Sequence, residues 1–337
     1  MTGDAPRIWV LIGDRTGDNN QVLALAEELG LPFETRTLRY ARIGSYDVGR
    51  IDPRLFWATM LSLTGESRRH VAPPWPDLVI AIGRRSVPVA RYIRRKSGGR
   101  TKLVRVGHPR VDPRLFDLVI TTRQYPVPRV GNILLLPMAM SRFRDPPMAD
   151  AKERAWLDAM PRPRLLFAIG GVTKYWDLPP DVMADAAARM AARAKGLGGS
   201  LTVAGSRRTD PAVLDAIAPV LGDWGRIADS SGPRFAVVLD DADEVFVTAD
   251  SVSMLSEAII AKKPVGMVPV TLNAVGLKFI GDDNNPPQVK KPRRDLRQFW
   301  KHLRDTGMVG TVDEPRTSPT DNPVEIAAKA VRELLGR

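Results

Sequence analysis

The sequence has no cysteine, and this absence removes several kinds of chemistry. Disulfide bonds, thiol nucleophiles and cysteine-ligated zinc are all excluded. The chain has only three histidines, His70, His108 and His302, and they are far apart in the sequence. A histidine-ligated metal site is therefore not expected, and the sequence predicts no bound metal.

Long apolar runs are also missing, since no stretch approaches the roughly 20 apolar residues that a membrane-spanning helix needs. The opening segment, MTGDAPRIWVLIGD, lacks the extended apolar region of a signal peptide, so we expect a cytoplasmic chain. Aromatic residues make up only 6% of the chain, and no nucleic-acid-binding motif is recognisable. A stacking platform for bases, and with it a nucleic-acid partner, is not expected.

Positive charge is abundant but unevenly placed. Residues 1–145 contain 24 Lys and Arg against 13 Asp and Glu, whereas residues 146–337 contain 26 against 25. The basic first half favours an anionic partner there, such as an anionic lipid or a phosphorylated substrate. The alternative is an incidental excess in an arginine-rich proteome.

The order of apolar runs and helical patterns predicts an α/β protein. Its 337 residues, 44% of them hydrophobic, suffice for two domains of about 150 residues. Short Val/Ile/Leu runs alternate with helical segments, which is typical of parallel sheets covered on both faces. We predict two Rossmann-like doubly wound domains facing a cleft. Among the individual elements we expect helices at 20–29 and 55–63 and a strand at 236–239.

Proline-rich segments mark the predicted boundaries. A helical stretch is flanked by the segments RDPPM and PRPR. Such segments suit linkers, because proline removes backbone donors and restricts its neighbours. We expect a basic N-terminal domain at 1–145, a linker at 146–163, a second domain at 164–320 and a C-terminal helix at 321–337.

Three segments of the second half predict an anion site, because each follows a strand and opens a helix or tight turn. In AIGGVTKY the glycines permit a close turn, although an ordinary structural turn is an equal alternative. In SRRTD the arginines suit phosphate oxygens, and in TADSVSMLSEA a helix N-terminus offers free N–H groups. The candidate nucleotide-binding residues are Gly170, Gly171, Thr173, Lys174, Ser206, Arg207, Arg208, Asp250, Ser251, Ser253, Met254 and Glu257.

Three segments together resemble the bacterial branch of the plant elongated mitochondria, or mitochondrial fission, family. They are IWVLIGDRTGDNNQ, SRRTD and TADSVSMLSEA. That family is similar to the GT-B glycosyltransferases, in which the second domain binds a nucleotide-sugar donor and a helix glutamate grips the ribose. The resemblance implies this ribose contact for Glu257. The plant members are described as non-catalytic fission factors, so the resemblance supports the fold better than the activity.

The same resemblance implies an acceptor site and a general base in the first half. The catalytic candidates are His108, Asp14 and Asp18, since histidine and carboxylates are the usual general bases. A loop histidine packed before Pro109 is the alternative for His108. Candidate acceptor-binding residues follow the predicted strands, where glycines turn the backbone and polar side chains offer hydrogen bonds: Gly13, Gly17, Asn19, Gln21, Gly83 and Arg84.

Apolar residues beside basic ones in the first half also predict a membrane contact, with a buried core stripe as the alternative. The candidates are Phe56, Trp57, Arg91, Arg94 and Arg95. They favour a protein peripheral to the inner membrane.

These features favour a metal-independent glycosyltransferase that acts on a lipid-linked or glycan acceptor at the cytoplasmic membrane face. It uses a nucleotide sugar as substrate and no further cofactor. A non-catalytic membrane adaptor and a nucleotide-sugar epimerase are the alternatives. The acidic run Asp240-Asp241-Ala242-Asp243 is not convincing as a metal motif, since we place it in a turn between two strands.

Overall fold

A computed structural model describes residues 5–43, 46–47, 60–142, 148–229, 231–282, 286 and 294–337. The chain forms two compact units. The first unit contains Met1–Arg142 and Asp321–Arg337, and the second contains Phe143–Thr320. The C-terminal helical segment is therefore part of the first unit.

The first unit is built on a parallel sheet of six strands in the order β2-β1-β5-β6-β7-β8. These strands are β1 Ile8–Ile12, β2 Phe33–Thr37, β5 Leu78–Ile82, β6 Lys102–Val106, β7 Leu118–Thr122 and β8 Ile133–Leu136. A short antiparallel pair, β3 Arg42–Ile43 and β4 Tyr46–Asp47, lies outside the sheet. The helices are α1 Thr16–Glu28, α2 Gly65–Arg69, α3 Ser86–Lys96 and the C-terminal α11 Pro323–Leu334.

Helices cover both faces of this sheet. Val22 and Leu25 of α1 and Val331 of α11 are buried against one face, and Val87 and Ile93 of α3 are buried against the other. Each such side chain contributes about 1.5–3 kcal/mol through burial. The continuous apolar runs of the strands thus reflect burial on two sides.

The second unit repeats the scheme with five parallel strands in the order β12-β11-β9-β13-β14. They are β9 Arg164–Ile169, β11 Ser200–Gly205, β12 Gly225–Ala228, β13 Glu244–Thr248 and β14 Val265–Val268. A two-residue antiparallel pair, β10 Trp176–Asp177 and β15 Thr271–Leu272, lies beside the sheet. The helices are α4 Ala151–Asp158, α5 Pro180–Gly196, α6 Pro211–Leu221, α7 Phe235–Asp241, α8 Val252–Ile260, α9 Ala274–Phe279 and α10 Leu296–Asp305.

The doubly wound parallel sheets confirm the predicted fold class, but four local predictions were wrong: the start of α1, the role of Gly17, the strand at 236–239 and the position of the acidic run at 240–243. Helix α1 begins at Thr16 instead of residue 20, so Gly17 lies in the first helical turn and is not a turn glycine. The segment 236–239 is part of helix α7. It follows Pro233 and reads as apolar throughout, a pattern that does not separate a buried strand from a short buried helix.

The acidic run Asp240-Asp241-Ala242-Asp243 therefore begins in the last turn of α7 and ends directly before β13, at the amino end of the sheet. Two of its carboxylates already have arginine partners. Asp241 accepts from Arg164 at 2.7 Å, and Asp243 accepts from Arg162 at 2.8 Å. The predicted helix at 55–63 lies largely outside the described residues. No helix in the described part of the chain is long and apolar enough to cross a membrane.

Candidate functional site

The carboxyl edge of the second sheet brings together the loops after β9, β11 and β13. These three strands are neighbours in a parallel sheet, so their carboxyl ends lie at one edge. Ligands of doubly wound folds bind at this edge.

Two side chains from β13 and its loop hold the glycine turn after β9. Gly170 donates its N–H to Thr248 Oγ1 at 2.8 Å, and Gly171 donates to Asp250 Oδ2 at 3.0 Å. A Cβ on Gly170 would lie 2.2 Å from Asp250 Oδ2, and one on Gly171 would lie 2.2 Å from the carbonyl oxygen of Arg208. Glycine is required here by close packing, and both N–H groups are already bonded within the protein.

Asp250 is the buried centre of this arrangement. Besides the Gly171 contact, its Oδ1 accepts from Thr248 Oγ1 at 2.7 Å. Burial raises the pKa of Asp250, while the hydrogen bonds from Gly171 and Thr248 and the charge of Arg208 act in the opposite direction. Asp250 therefore links two loops, and its oxygens face protein donors.

The loop after β11 is tied to the same turn. Ser206 Oγ donates to the carbonyl oxygen of Gly170 at 2.7 Å, and the Ser206 N–H donates to Thr209 Oγ1 at 2.7 Å. The Arg208 guanidinium lies 3.7 Å from Asp250 Oδ2, and 53% of its side chain is exposed. Arg207 is also exposed. Arg208 thus places a positive charge at the rim of the site.

Helix α8 begins at this edge with an open N-terminus. Its N-cap, Ser251, makes no side-chain capping hydrogen bond, and the first helical bond runs from the Leu255 N–H to the Ser251 carbonyl at 3.1 Å. The N–H groups of Val252, Ser253 and Met254 have no acceptor among the described residues. Three donors at the positive end of a helix dipole form an environment suited to an anion.

The exposed face of α8 contains further candidate nucleotide-binding residues. Ser253 is exposed, and Met254 and Glu257 are half-buried. Ser256 is fully buried, and its hydroxyl donates to the Val252 carbonyl at 2.7 Å. Ser253 and Glu257 are four residues apart and share this exposed face.

Trp300 of α10 supports two loops of the site, and no pattern in the sequence marks it. Its indole Nε1 donates to the Ala249 carbonyl at 2.7 Å, one peptide before Asp250. Its ring packs edge-to-face against Trp176 with centroids 4.6 Å apart. Because Trp176 follows the Thr173–Tyr175 loop directly, Trp300 connects the loops after β9 and β13.

The remaining two candidates of this unit, Thr173 and Lys174, lie further along the loop after β9. Thr173 Oγ1 accepts the Trp176 N–H at 3.1 Å, so it closes a local turn. The Lys174 ammonium lies 5.1 Å from the ring centroid of Tyr175 and 5.0 Å from that of Phe279. The contact with Phe279 places Lys174 beside α9.

At the carboxyl edge of the first sheet, the loop after β1 is closed by its own side chains. Asn19 Oδ1 accepts the Gly13 N–H at 3.0 Å, and Asn19 Nδ2 donates to the Gly13 carbonyl at 2.7 Å. Gln21 reaches the Gly17 carbonyl at 3.4 Å. The Asn19 amide is thus used to shape the loop, whereas Asp14 is exposed and Asp18 half-buried.

A buried arginine joins the next two loops of that edge. Arg105 of β6 donates to the Gly83 carbonyl at 2.9 Å, to Ser86 Oγ at 3.2 Å and to the His108 carbonyl at 2.9 Å. Burial lowers the pKa of Arg105 to about 10, with Arg110 acting in the same direction and Asp18 opposing it. The signal in the sequence was a charged residue inside the buried strand KLVRV.

The environment of His108 does not favour its predicted role as general base. Its Nδ1 accepts the backbone N–H of Arg110 at 2.9 Å, and its ring packs edge-to-face on Tyr125 with centroids 5.7 Å apart. This bond assigns the proton of the neutral ring to Nε2. Nε2 is then a hydrogen-bond donor, and neither nitrogen offers a free lone pair.

Of the other predicted residues in the first unit, Gly83 adopts a positive φ of 82°, as a glycine turn requires, and Arg84 is half-buried. Among the membrane candidates, Phe56 and Trp57 lie outside the described residues. Arg91 is half-buried, Arg94 pairs with Asp117 at 3.0 Å, and Arg95 is exposed. The described residues contain no group of three His, Cys, Asp or Glu side chains that could hold a metal.

Comparison with solved structures identifies the class of fold. A Listeria monocytogenes protein assigned as a UDP-N-acetylglucosamine 2-epimerase is similar with a TM-score of 0.58 and 14% identity over 98% of this chain and 97% of that one. A UDP-glucosyltransferase from Polygonum tinctorium is similar with a TM-score of 0.54 and 10% identity over the full length of both chains. At these identities the likeness concerns the fold, which is that of the GT-B glycosyltransferases and epimerases.

Sequence comparison identifies the family of the chain. The model of the family described as mitochondrial fission ELM1 matches residues 16–337, and the chain belongs to that family. The mitochondrial fission protein ELM1 of Arabidopsis thaliana is 27% identical over 316 residues, which cover 83% of this chain and 69% of the plant protein. The family predicted from three sequence segments is thereby confirmed.

Proposed function

We propose that this protein is a nucleotide-sugar-dependent glycosyltransferase whose donor binds at the carboxyl edge of the second sheet. The observation that carries the proposal is the open N-terminus of α8, where Val252, Ser253 and Met254 present N–H groups without acceptors among the described residues. A diphosphate suits this position because it accepts several hydrogen bonds and is stabilised by the helix dipole. Arg208 supplies a nearby exposed cation.

The other residues of this site have different proposed roles. Glu257 lies on the exposed face of α8, where its carboxylate can accept hydrogen bonds from ribose hydroxyls. Asp250, Thr248 and Trp300 position the loops and do not contact the donor themselves. The fold neighbours support the proposal, because their names state that one is a UDP-glucosyltransferase and the other is assigned to UDP-N-acetylglucosamine epimerisation.

In the proposed reaction an acceptor hydroxyl oxygen attacks the anomeric carbon of the sugar. The new glycosidic C–O bond forms as the bond between that carbon and the diphosphate oxygen breaks, and the diphosphate leaves with the electron pair. Helix N–H groups and an arginine can stabilise the leaving charge. The hydroxyl proton passes to a general base, for which we retain Asp14 and Asp18 and no longer favour His108.

The acceptor is proposed to be a lipid-linked molecule or a glycan at the cytoplasmic face of the inner membrane. The basic composition of residues 1–145 supports an anionic group in that partner. Epimerisation of the nucleotide sugar is a second candidate, favoured by the TM-score of 0.58 with the Listeria protein. A non-catalytic adaptor remains the alternative suggested by the name of the plant relative.

Ligand-induced thermal stabilisation tests the donor site directly. The chain is heated with UDP, GDP and a panel of nucleotide sugars, and we expect one nucleotide class to raise the Tm. Glu257→Ala should reduce this rise, whereas Asp215→Ala, which removes an exposed carboxylate from α6 of the same unit, should not. Absence of a response to every nucleotide would contradict both enzymatic proposals and favour the adaptor.

Product analysis then separates the two enzymes. A glycosyltransferase releases free nucleoside diphosphate in proportion to the acceptor supplied, while an epimerase converts the nucleotide sugar with no acceptor present. Conversion of the sugar without an acceptor, accompanied by no transfer, would exclude the glycosyltransferase assignment.

A further inference from the structure

The Arg208 side chain crosses the carboxyl edge of the second sheet. It starts in the loop after β11, its Nη1 donates to the Gly171 carbonyl at 3.3 Å, and its Nη2 lies 3.7 Å from Asp250 Oδ2. Since β9 lies between β11 and β13 in the sheet, this side chain reaches the ends of three neighbouring strands. The strand order reverses between β9 and β13, and ligands of doubly wound folds bind at such a reversal.

The backbone that carries Arg208 is held in a closed turn. The Thr209 N–H donates to the Ser206 carbonyl at 3.0 Å, and the Arg208 N–H donates to Ser206 Oγ at 3.2 Å. Gly171 lets this turn approach, since a Cβ there would lie 2.2 Å from the Arg208 carbonyl oxygen. A guanidinium on so constrained a backbone loses little freedom when it binds a ligand.

The hydrogen-bond donors of this guanidinium are only partly used. Among the residues that the structure describes, Nε and Nη2 of Arg208 have no hydrogen-bond acceptor, and 53% of the side chain is exposed. The Asp250 side chain is fully buried, and at 3.7 Å it attracts the guanidinium without accepting a hydrogen bond from it. Nε and Nη2 form one edge of the guanidinium plane, and such an edge binds two phosphate oxygens at once.

We propose that Arg208 binds the second phosphate of the donor and makes the site selective for sugars linked to a nucleoside diphosphate over those linked to a monophosphate. This assignment rests on the proposed donor site, in which Glu257 holds the ribose one turn along α8 and the adjoining phosphate lies at the N–H groups of the helix N-terminus. Asp250 directly precedes the N-cap Ser251, so its guanidinium partner lies next to that phosphate position.

Asp250 is a positioning residue in this arrangement. Its charge draws Arg208 towards the β9–β13 side of the edge, while its two oxygens accept hydrogen bonds from the Gly171 N–H and from Thr248 Oγ1. It therefore acts on the donor through the guanidinium. The α8 N–H groups serve either kind of nucleotide, whereas Arg208 serves only the kind that has a second phosphate.

Calorimetry with matched nucleotides tests the role of Arg208. Binding of UDP is compared with that of UMP, and GDP with GMP, for the parent chain and for Arg208→Gln. We expect Arg208→Gln to weaken binding of the diphosphate about tenfold and of the monophosphate less than about twofold, since only the diphosphate reaches the guanidinium. The control, Arg316→Gln, removes an arginine of the same unit that is also 53% exposed and lies 3.2 Å from a carboxylate of Glu314, so it corrects for the lost charge.

The outcomes separate this assignment from the donor site itself. Equal weakening of both nucleotides in Arg208→Gln, or the same selective loss in Arg316→Gln, would overturn the assignment and leave the donor site standing. Absence of binding of all four nucleotides by the parent chain would contradict the donor site and, with it, the assignment.

Further variants test the positioning role of Asp250. Arg208→Lys should recover part of the selectivity, because lysine keeps the charge but not the paired donors. Asp250→Asn keeps the size of the side chain but not its charge, and should weaken diphosphate binding about threefold. Combined with Arg208→Gln, it should cause no further loss, because Asp250 acts through the arginine. Additive losses in the double variant would show that Asp250 supports the loops independently of Arg208 and would contradict the positioning role.

Discussion

Among the residues that the structure describes, the carboxyl edge of each sheet contains one buried charged side chain, and the two have opposite signs. Arg105 in the first unit joins the loops after β5 and β6 through carbonyl oxygens. Asp250 in the second unit joins the loops after β9 and β13 through the Gly171 N–H and the Thr248 hydroxyl. Burial shifts both pKa values towards the neutral form, downward for Arg105 and upward for Asp250.

The two charges leave different groups available to a ligand. Arg105 occupies backbone acceptors, and Asn19 occupies both polar groups of Gly13, while the exposed carboxylate of Asp14 lies at the edge. Asp250 occupies the N–H of Gly171 but leaves the first turn of α8 open. The first edge therefore suits hydroxyl groups and the second suits an anion, although both have the same strand-loop-helix architecture.

Removal of the buried arginine should give the largest loss of stability. Arg105→Met leaves the His108 carbonyl without its donor and removes one of the two donors to the Gly83 carbonyl, which we expect to lower the free energy of unfolding by about 3 kcal/mol. Arg95→Met on the exposed face of α3 should change it by less than about 0.5 kcal/mol. Denaturation in urea followed by circular dichroism measures both, and similar losses would show that the Arg105 bonds contribute little.

In the second unit, the close packing of the glycine turn should give the next largest effect. The Cβ of Gly171→Ala would collide with the Arg208 backbone at 2.2 Å, at an expected cost of about 2 kcal/mol. Gly196→Ala in the same unit meets no atom within 4 Å and serves as the control. If the two variants melt at the same temperature, the turn is less tightly constrained than the contacts imply.

Loss of the Trp300 N–H should have a smaller effect on stability and a specific effect on binding. Trp300→Phe leaves the Ala249 carbonyl unpaired, at about 1 kcal/mol, and releases the loop that leads into α8. Nucleotide affinity measured by calorimetry should fall, whereas Trp224→Phe should bind as the parent does, because the Trp224 indole makes no hydrogen bond to any described residue. An unchanged affinity in Trp300→Phe would remove its positioning role.

The raised pKa of Asp250 predicts a modest pH dependence of the protein's stability. Because the folded form favours the protonated carboxyl, its contribution to stability is complete below the ordinary Asp value of 3.8 and is lost as the pH rises through the raised pKa. Asp250→Asn should lack this component, so its Tm should fall less between pH 4 and pH 7. Parallel profiles for parent and variant would contradict a shift of this group.

His108 should give the smallest effect. In His108→Asn the amide oxygen can still accept the Arg110 N–H, so we expect little change in stability and less than about tenfold loss of transfer activity. A loss of several hundred-fold, with an unchanged Tm, would restore His108 as the general base.

The two sheets were predictable from the sequence, because strands that are buried on both faces consist of continuous Val, Ile and Leu runs. The sequence also located the start of α8 from TADSVS. It could not show that the N–H groups of Gly170 and Gly171 are bonded to Thr248 and Asp250, because those partners are 78 and 79 residues away. Long-range pairing of this kind leaves no local pattern.

Other errors have similar physical causes. The apolar segment of α7 has no period that separates a short helix from a strand, and Gly17 is compatible with either a turn or a first helical turn. Trp300 is 51 residues from the carbonyl it supports, so nothing in the sequence marks its role. Arg105 could have been noticed, since a charge inside KLVRV requires buried partners.

We propose that the open N-terminus of α8 binds a diphosphate, and one pair of variants tests this binding most directly. Val252→Pro removes the first of the three N–H groups that have no acceptor in the described part of the chain, at a position where a helix accepts proline, and Val252→Ala keeps this N–H while losing side-chain volume. By calorimetry with the nucleoside diphosphate that stabilises the parent, the alanine variant should bind with nearly parental affinity and the proline variant about tenfold more weakly. Equal affinities in both variants would contradict binding at this helix terminus.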